Sequence, residues 1–240
     1  MRFLLLFFTV SAMATPITYD VTVNTSSISG TPGSLDFNFN PGFLGTTQLA
    51  QLQILSFTSD GTLANCAANV QGYCPTGDVT GQLPSTLTFV NDTTFNDYFD
   101  GFTYGSTISF AVSLSGPALS SPDGVSTSGS TFAFSMFSDA AGTVPVLTSD
   151  TTDGFAFTID VNLDGSTTVT NYSAQTSVTP TMGSPGGPSG SVPEPGTLAL
   201  SATALACLAL FGCRTIDGRS RLPAQRRTFV PRLQPGQLPD

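Results

Sequence analysis

The chain has 240 residues, a formal net charge of −9, 40% hydrophobic and only 10% charged residues, with nineteen Phe and neither His nor Trp. All seven cations are arginines, and none lies between Arg2 and Arg214. The long segment between them is too apolar to be disordered and large enough to bury one substantial core. Lacking cations, it excludes nucleic acid and anionic lipid surfaces as partners.

Residues 1–14 read as a secretory signal. Arg2 supplies the positive end, Phe3 to Val10 the apolar stretch, and Ala12-Met13-Ala14 an A-x-A cleavage site, so the mature chain is expected to start at Thr15. Residues 15–177 then alternate apolar and polar almost throughout. Ile17 to Val23 is a predicted strand, as is Ser34 to Asn40, with Leu35, Phe37 and Phe39 on one face. Gln48 to Phe57 alternates less cleanly, and Ser59-Asp60-Gly61 is a turn. Asn65 to Gly81 reads as a loop, Thr86 to Val90 as a strand, and the aromatic-rich Phe95 to Tyr104 as starting with a short turn of helix. Thr107 to Leu114 points Ile108, Phe110, Val112 and Leu114 inward, and Gly116 to Gly129 is a loop. Thr131 to Phe137 places Phe132, Phe134 and Met136 on one face. Phe155 to Leu163 is a strand that turns at Asp164-Gly165 and returns through Ser166 to Tyr172. Period two, β-branched and aromatic residues, and frequent turns predict an all-β, antiparallel sandwich, jelly-roll-like or immunoglobulin-like, of roughly eight to ten strands.

Cys66 and Cys74 lie in the exported part, where an oxidising compartment favours a disulfide between them. Without His, Lys or Arg, the body cannot assemble a Ser-His-Asp triad, a Cys-His pair or a Schiff base. Paired carboxylates remain, but a glycosidase site leans on aromatic platforms and Trp is absent, so no enzymatic activity is expected. Asp160-Val161-Asn162-Leu163-Asp164-Gly165 matches the first half of a calcium loop, making Asp160, Asn162 and Asp164 candidate ligands. The twelfth position of such a loop is Asn171 rather than a bidentate Glu, and a plain hairpin is the competing reading. Calcium is the one cofactor that the sequence brings into view.

Residues 178–191, rich in Pro, Gly and Ser, read as a flexible linker. Val192-Pro193-Glu194-Pro195 follows, and then the uncharged run Thr197 to Cys213, closed by Arg214. That run is at the lower edge of the roughly 17–25 residues that span a bilayer as a helix. Arginines at 214, 219, 221, 226, 227 and 232 mark its far side as cytoplasmic, which puts the body outside. Residues 215–240 read as a basic, disordered cytoplasmic tail, or as readthrough past a displaced stop codon.

Val192, Pro193, Glu194, Pro195, the apolar run and Arg214, together residues 192–214, resemble the PEP-CTERM sorting tail of exopolysaccharide-producing Gram-negative bacteria. The resemblance implies recognition and cleavage by an exosortase, a membrane cysteine protease, with inner-membrane anchoring first and the cell surface or extracellular space afterwards. It identifies an address and leaves the cargo's role to the body. The expected role is structural or adhesive, in exopolysaccharide or biofilm matrix. A non-catalytic carbohydrate-binding module is the alternative, and an ice-binding one a further alternative.

Overall fold

The computed structural model describes residues 15–66 and 74–181. The signal residues Ala12 and Ala14, the motif Val192 to Pro195, the apolar run and Arg214 lie outside the described residues. In chain order the strands are β1 (Ile17–Asn24), β2 (Pro32–Pro41), β3 (Gln51–Ser59), β4 (Thr62–Leu63), β5 (Val79–Gly81) and β6 (Leu87–Val90). They continue as β7 (Asp97–Thr103), β8 (Thr107–Ser115), β9 (Ser130–Phe137), β10 (Phe155–Val161), β11 (Thr167–Asn171) and β12 (Thr176–Pro180), with one four-residue helix, α1 (Pro117–Ser120), after β8. They form two six-stranded sheets, ordered β12-β1-β8-β3-β6-β5 and β11-β10-β9-β2-β7-β4. Every strand pairing is antiparallel.

Alternation is what packs the sheets together. Tyr19, Val21 and Val23 of β1 and Ile108, Val112 and Leu114 of β8 are buried from the first sheet, and Leu35, Phe37 and Phe39 of β2 from the second. Phenylalanines fill the middle: Phe37 lies 4.8 Å from Phe134 and 5.4 Å from Phe110, ring centre to ring centre, and Phe110 lies 5.2 Å from Phe134. Tilted and edge-on pairs of this kind each add about 0.5–1.5 kcal/mol beyond their burial.

Several segments differ from their sequence reading. The weak alternation before Phe57 has a physical cause. The β3–β8 register shifts between Leu55 and Thr58, and Ser56 takes a φ of 53°. The extra residue of this bulge turns both Ile54 and Phe57 inward. The predicted helical turn near Phe95 is absent: Asp97 to Thr103 is strand β7, paired along β2, and sheet pairing overrides the local preference. The predicted Asn65–Gly81 loop ends in the short strand β5, and the predicted Gly116–Gly129 loop begins with α1. Strand β10 stops at Val161, so Leu163 is exposed instead of continuing the inward row. The body also runs further than residue 177, because β12 pairs with β1 as far as Pro180. Val178 to Pro180, read as linker, are therefore sheet.

The second sheet departs from the usual one-wet, one-dry pattern. On β9 and β10, Ala133, Ser135 and Thr158 are buried although they point away from the Phe-rich core. The same outer face carries half-buried Asp36 and Asn38 of β2 and buried Asp97 of β7.

Candidate functional site

Among the described residues, four places bring chemistry-bearing side chains together. The first is the disulfide corner. Cys66 and Cys74 are bonded, with S–S 2.01 Å and Cα–Cα 5.7 Å, as the compartment argument expected. Beneath them Asp100 is fully buried, on the inward side of β7 with Tyr98 and Phe102. Asp100 Oδ1 accepts from the Cys66 N–H at 3.1 Å, and Oδ2 accepts from the Tyr98 hydroxyl at 3.3 Å. That hydroxyl in turn accepts from the Leu83 N–H at 3.1 Å. Burial raises the Asp100 carboxyl above its ordinary range, and the Cys66 and Tyr98 donors pull it partly back. Burial also raises the Tyr98 phenol. The donor atoms of Cys66, Cys74 and Asp100 lie within 4.8 Å of one another. With both sulfurs in the disulfide there is no thiolate for a metal to take.

The second place is the outer face of the second sheet. Asn38 stands opposite Asp97 in the β2–β7 register, with Asp36 on the same face. Asn38 Nδ2 donates to Asp36 Oδ1 at 2.7 Å, and the two carboxyls are hydrogen-bonded to each other. Burial, then the hydrogen bond and negative charge of Asp36, push the Asp97 carboxyl up to about 10. Burial also raises Asp36, against the opposing effect of its bonds to Asp97 and Asn38. Two neighbouring carboxyls that are both raised by burial resist ionising together without a cation.

The third place is the β10–β11 hairpin with the calcium-loop pattern. Each side chain already has a partner from the hairpin or its neighbouring strand. Asp160 Oδ1 accepts from Thr131 Oγ1 at 2.6 Å. Asn162 Nδ2 donates to Ser166 Oγ at 3.0 Å and to Thr168 Oγ1 at 2.9 Å. Asp164 Oδ1 accepts from Ser166 Oγ at 2.6 Å and Ser166 N–H at 3.0 Å, which hold its pKa below the usual carboxylate range. The Gly165 N–H closes on the Asn162 carbonyl at 3.0 Å, and Gly165 takes a φ of 82°, a left-handed turn position suited to glycine. The pattern builds a hairpin turn whose carboxylates point to local donors.

The fourth is one end of the sandwich, where the β2–β3, α1–β9 and β10–β11 connections meet. A shallow surface cleft of about 10 Å³, room for roughly one water, opens there, lined in part by Thr47, Gln48, Ser128, Asn162 and Leu163. It falls short of the roughly 300–1,000 Å³ that small-molecule sites enclose. Phe43, 68% exposed, is joined to this edge through its backbone, since its carbonyl accepts from Thr47 Oγ1 at 3.0 Å and Thr47 lines the cleft. Val125 and Leu163 are also exposed on these connections.

Asp36, Asn38, Asp97 and Asp100 were not singled out by motif reasoning. Parity was the available signal: Asp100 falls in step with Tyr98 and Phe102, so a strand over Asp97–Thr103 must bury it. No such signal exists for Asp36 and Asp97, which alternation assigns to the outer side.

Beyond the described residues, residues 191–214 match the PEP-CTERM protein-sorting motif family. The chain carries a PEP-CTERM sorting signal. The match contains Val192, Pro193, Glu194, Pro195 and Arg214 and confirms the family resemblance of this stretch. A PEP-CTERM signal directs export toward the cell surface by way of exosortase. No curated protein and no solved structure matches the chain.

Proposed function

We propose that this is a non-catalytic surface or extracellular-matrix protein of a Gram-negative bacterium, with a structural or adhesive role in exopolysaccharide or biofilm. The observation that carries this reading is the PEP-CTERM signal at residues 191–214. The body supports it. A sandwich with a Phe-packed core and a disulfide suits an oxidising exterior. Charged residues between 15 and 193 are all aspartates, which suits a hydrated anionic or divalent-rich matrix better than a nucleic-acid partner.

The test follows the protein in the producing cell. Replacing Pro193, Glu194 and Pro195 by Ala should leave a longer, membrane-retained form, whereas the wild type yields a matrix form that starts at Thr15 and ends near residue 193. Intact-mass analysis reads both. Recovery of the wild-type surface form with residues through Asp240 would overturn the sorting reading. Unchanged biofilm mass and cohesion in a deletion strain would overturn the matrix role.

A second reading, glycan binding, is favoured by one observation: exposed Phe43 beside the polar cleft of Gln48, Ser128 and Asn162. A glycan array separates the two readings. Binding that Phe43→Ala abolishes would move the function from scaffold to carbohydrate recognition.

A further inference from the structure

No side chain between 15 and 193 carries a positive charge, so a carboxylate buried there has no side-chain cation to meet. Aspartates such as Asp60, Asp123 and Asp164 avoid the problem by staying exposed and accepting from nearby N–H and O–H groups. Asp97, with half-buried Asp36 and Asn38 beside it, does not. Asp97 is 5% exposed, and Asn38 faces it across the β2–β7 pair. The Asn38 amide is tied to Asp36 by the 2.7 Å bond, so the three side chains form one contiguous group. Asp97 Oδ1 and Asn38 Oδ1 are both buried without a hydrogen-bond partner. Native folds rarely leave such atoms unmet, and each one calls for an explanation, an ion or an ordered water among them.

A shared proton does not meet that demand. It is one donor, used between Asp36 and Asp97, and two further oxygens remain. What the trio offers is a set of oxygen ligands only, two of them carboxylates, with no competing ammonium or guanidinium. That is the ligand preference of a hard divalent cation. Carboxylates mixed with an amide carbonyl on a sheet face, without an octahedral cage, suit calcium, which accepts irregular shells of six to eight oxygens, better than magnesium. We infer that Asp36, Asn38 and Asp97 form a calcium-binding site on the outer face of the second sheet, with water completing the shell. The cation would supply the positive charge that the body's own composition lacks and would tie β2 to β7.

The experiment uses the exported protein, stripped with a chelator and returned to calcium chloride or to sodium chloride at matched ionic strength. Thermal unfolding should show calcium raising Tm by roughly 5–10 °C over sodium at about 100-fold excess above its dissociation constant. Titration calorimetry should give one bound calcium. Asp36→Asn and Asp97→Asn keep the side-chain shape and should abolish both the excess stabilisation and the calorimetric binding. Asn38→Asp, which adds a third carboxylate, should tighten binding at least several-fold. Asp164→Asn should leave the calcium response intact. Absence of a calcium effect in the wild type would overturn the inference. So would a calcium effect that survives Asp97→Asn or disappears with Asp164→Asn, which would move the ion to the hairpin.

Discussion

Two groups of aspartate and asparagine sit on the same sheet, and the fold treats them in opposite ways. At the β10–β11 hairpin, Asp160, Asn162 and Asp164 match a calcium-loop pattern, yet neighbouring hydroxyls and N–H groups occupy their oxygens or amides. On β2 and β7, Asp36, Asn38 and Asp97 match no motif, yet two of their oxygens are buried with nothing to accept from. A motif records which residue types are near each other along the chain. Demand for a ligand is set by what remains unpaired once the strands are in register. In the hairpin the Asp164 carboxyl is therefore shifted toward easy ionisation, and on β2 and β7 the Asp36 and Asp97 carboxyls are shifted away from it.

The sharpest way to break this comparison is pH, in chelator. Asp97 holds its proton up to about 10 in the folded state, against about 4 for an unfolded aspartate. Between those values the folded chain binds the extra proton. Its contribution to stability is thus complete below about pH 4 and lost as pH rises toward 10. The loss grows steadily across that window, because the folded chain keeps a proton that the unfolded chain releases. Urea titrations across pH 5 to 8 should show stability falling, and Asp97→Asn should flatten that slope. Asp60 behaves oppositely: Ser106 and Thr107 donors hold it at about 2, so its contribution is present above pH 4 and lost as pH falls toward 2. A wild-type profile that rises from pH 5 to 8 would remove the contrast between the two classes of aspartate.

Next in size is Asp100→Ala. It strands the part-buried Cys66 N–H and the buried Tyr98 hydroxyl, and a buried donor's lost partner costs about 1–3 kcal/mol. A loss of about 3 kcal/mol in denaturant unfolding is expected; a loss below about 1 kcal/mol would mean that water reaches the corner. Removing the disulfide with Cys66→Ser and Cys74→Ser follows closely, at about 2–3 kcal/mol for a loop of this short separation. Because Asp100 binds the Cys66 N–H, combining the two changes should cost less than their sum, and simple additivity would disprove the coupling. Asp164→Asn is the smallest: the turn residue stays turn-competent, and Tm should move within roughly 2 °C.

The strands were legible in the sequence wherever alternation was regular, as at Ile17 to Val23 and Thr107 to Leu114. Reading failed where a long-range partner decided the outcome. The bulge at Ser56 depends on β8, the strand over Asp97–Thr103 depends on β2, and β12 exists because β1 offers it an edge. The disulfide was accessible from compartment logic. The Asp36–Asn38–Asp97 group was not, because alternation says which residues face away from the core and is silent about whether that outer face is dry.

Strand β12 has a mechanical meaning. Pro180 pairs with Tyr19, so the first and last strands of the body lie side by side, with β12 at the rim of its sheet. On the proposed reading, in which the C-terminal segment holds the protein before cleavage, tension would reach the body through Thr181, whose N–H is held by the Thr18 carbonyl at 2.8 Å. Drag on the cell surface would thus load the β12–β1 seam before it reached the aromatic interior, and that seam would be the first part to give.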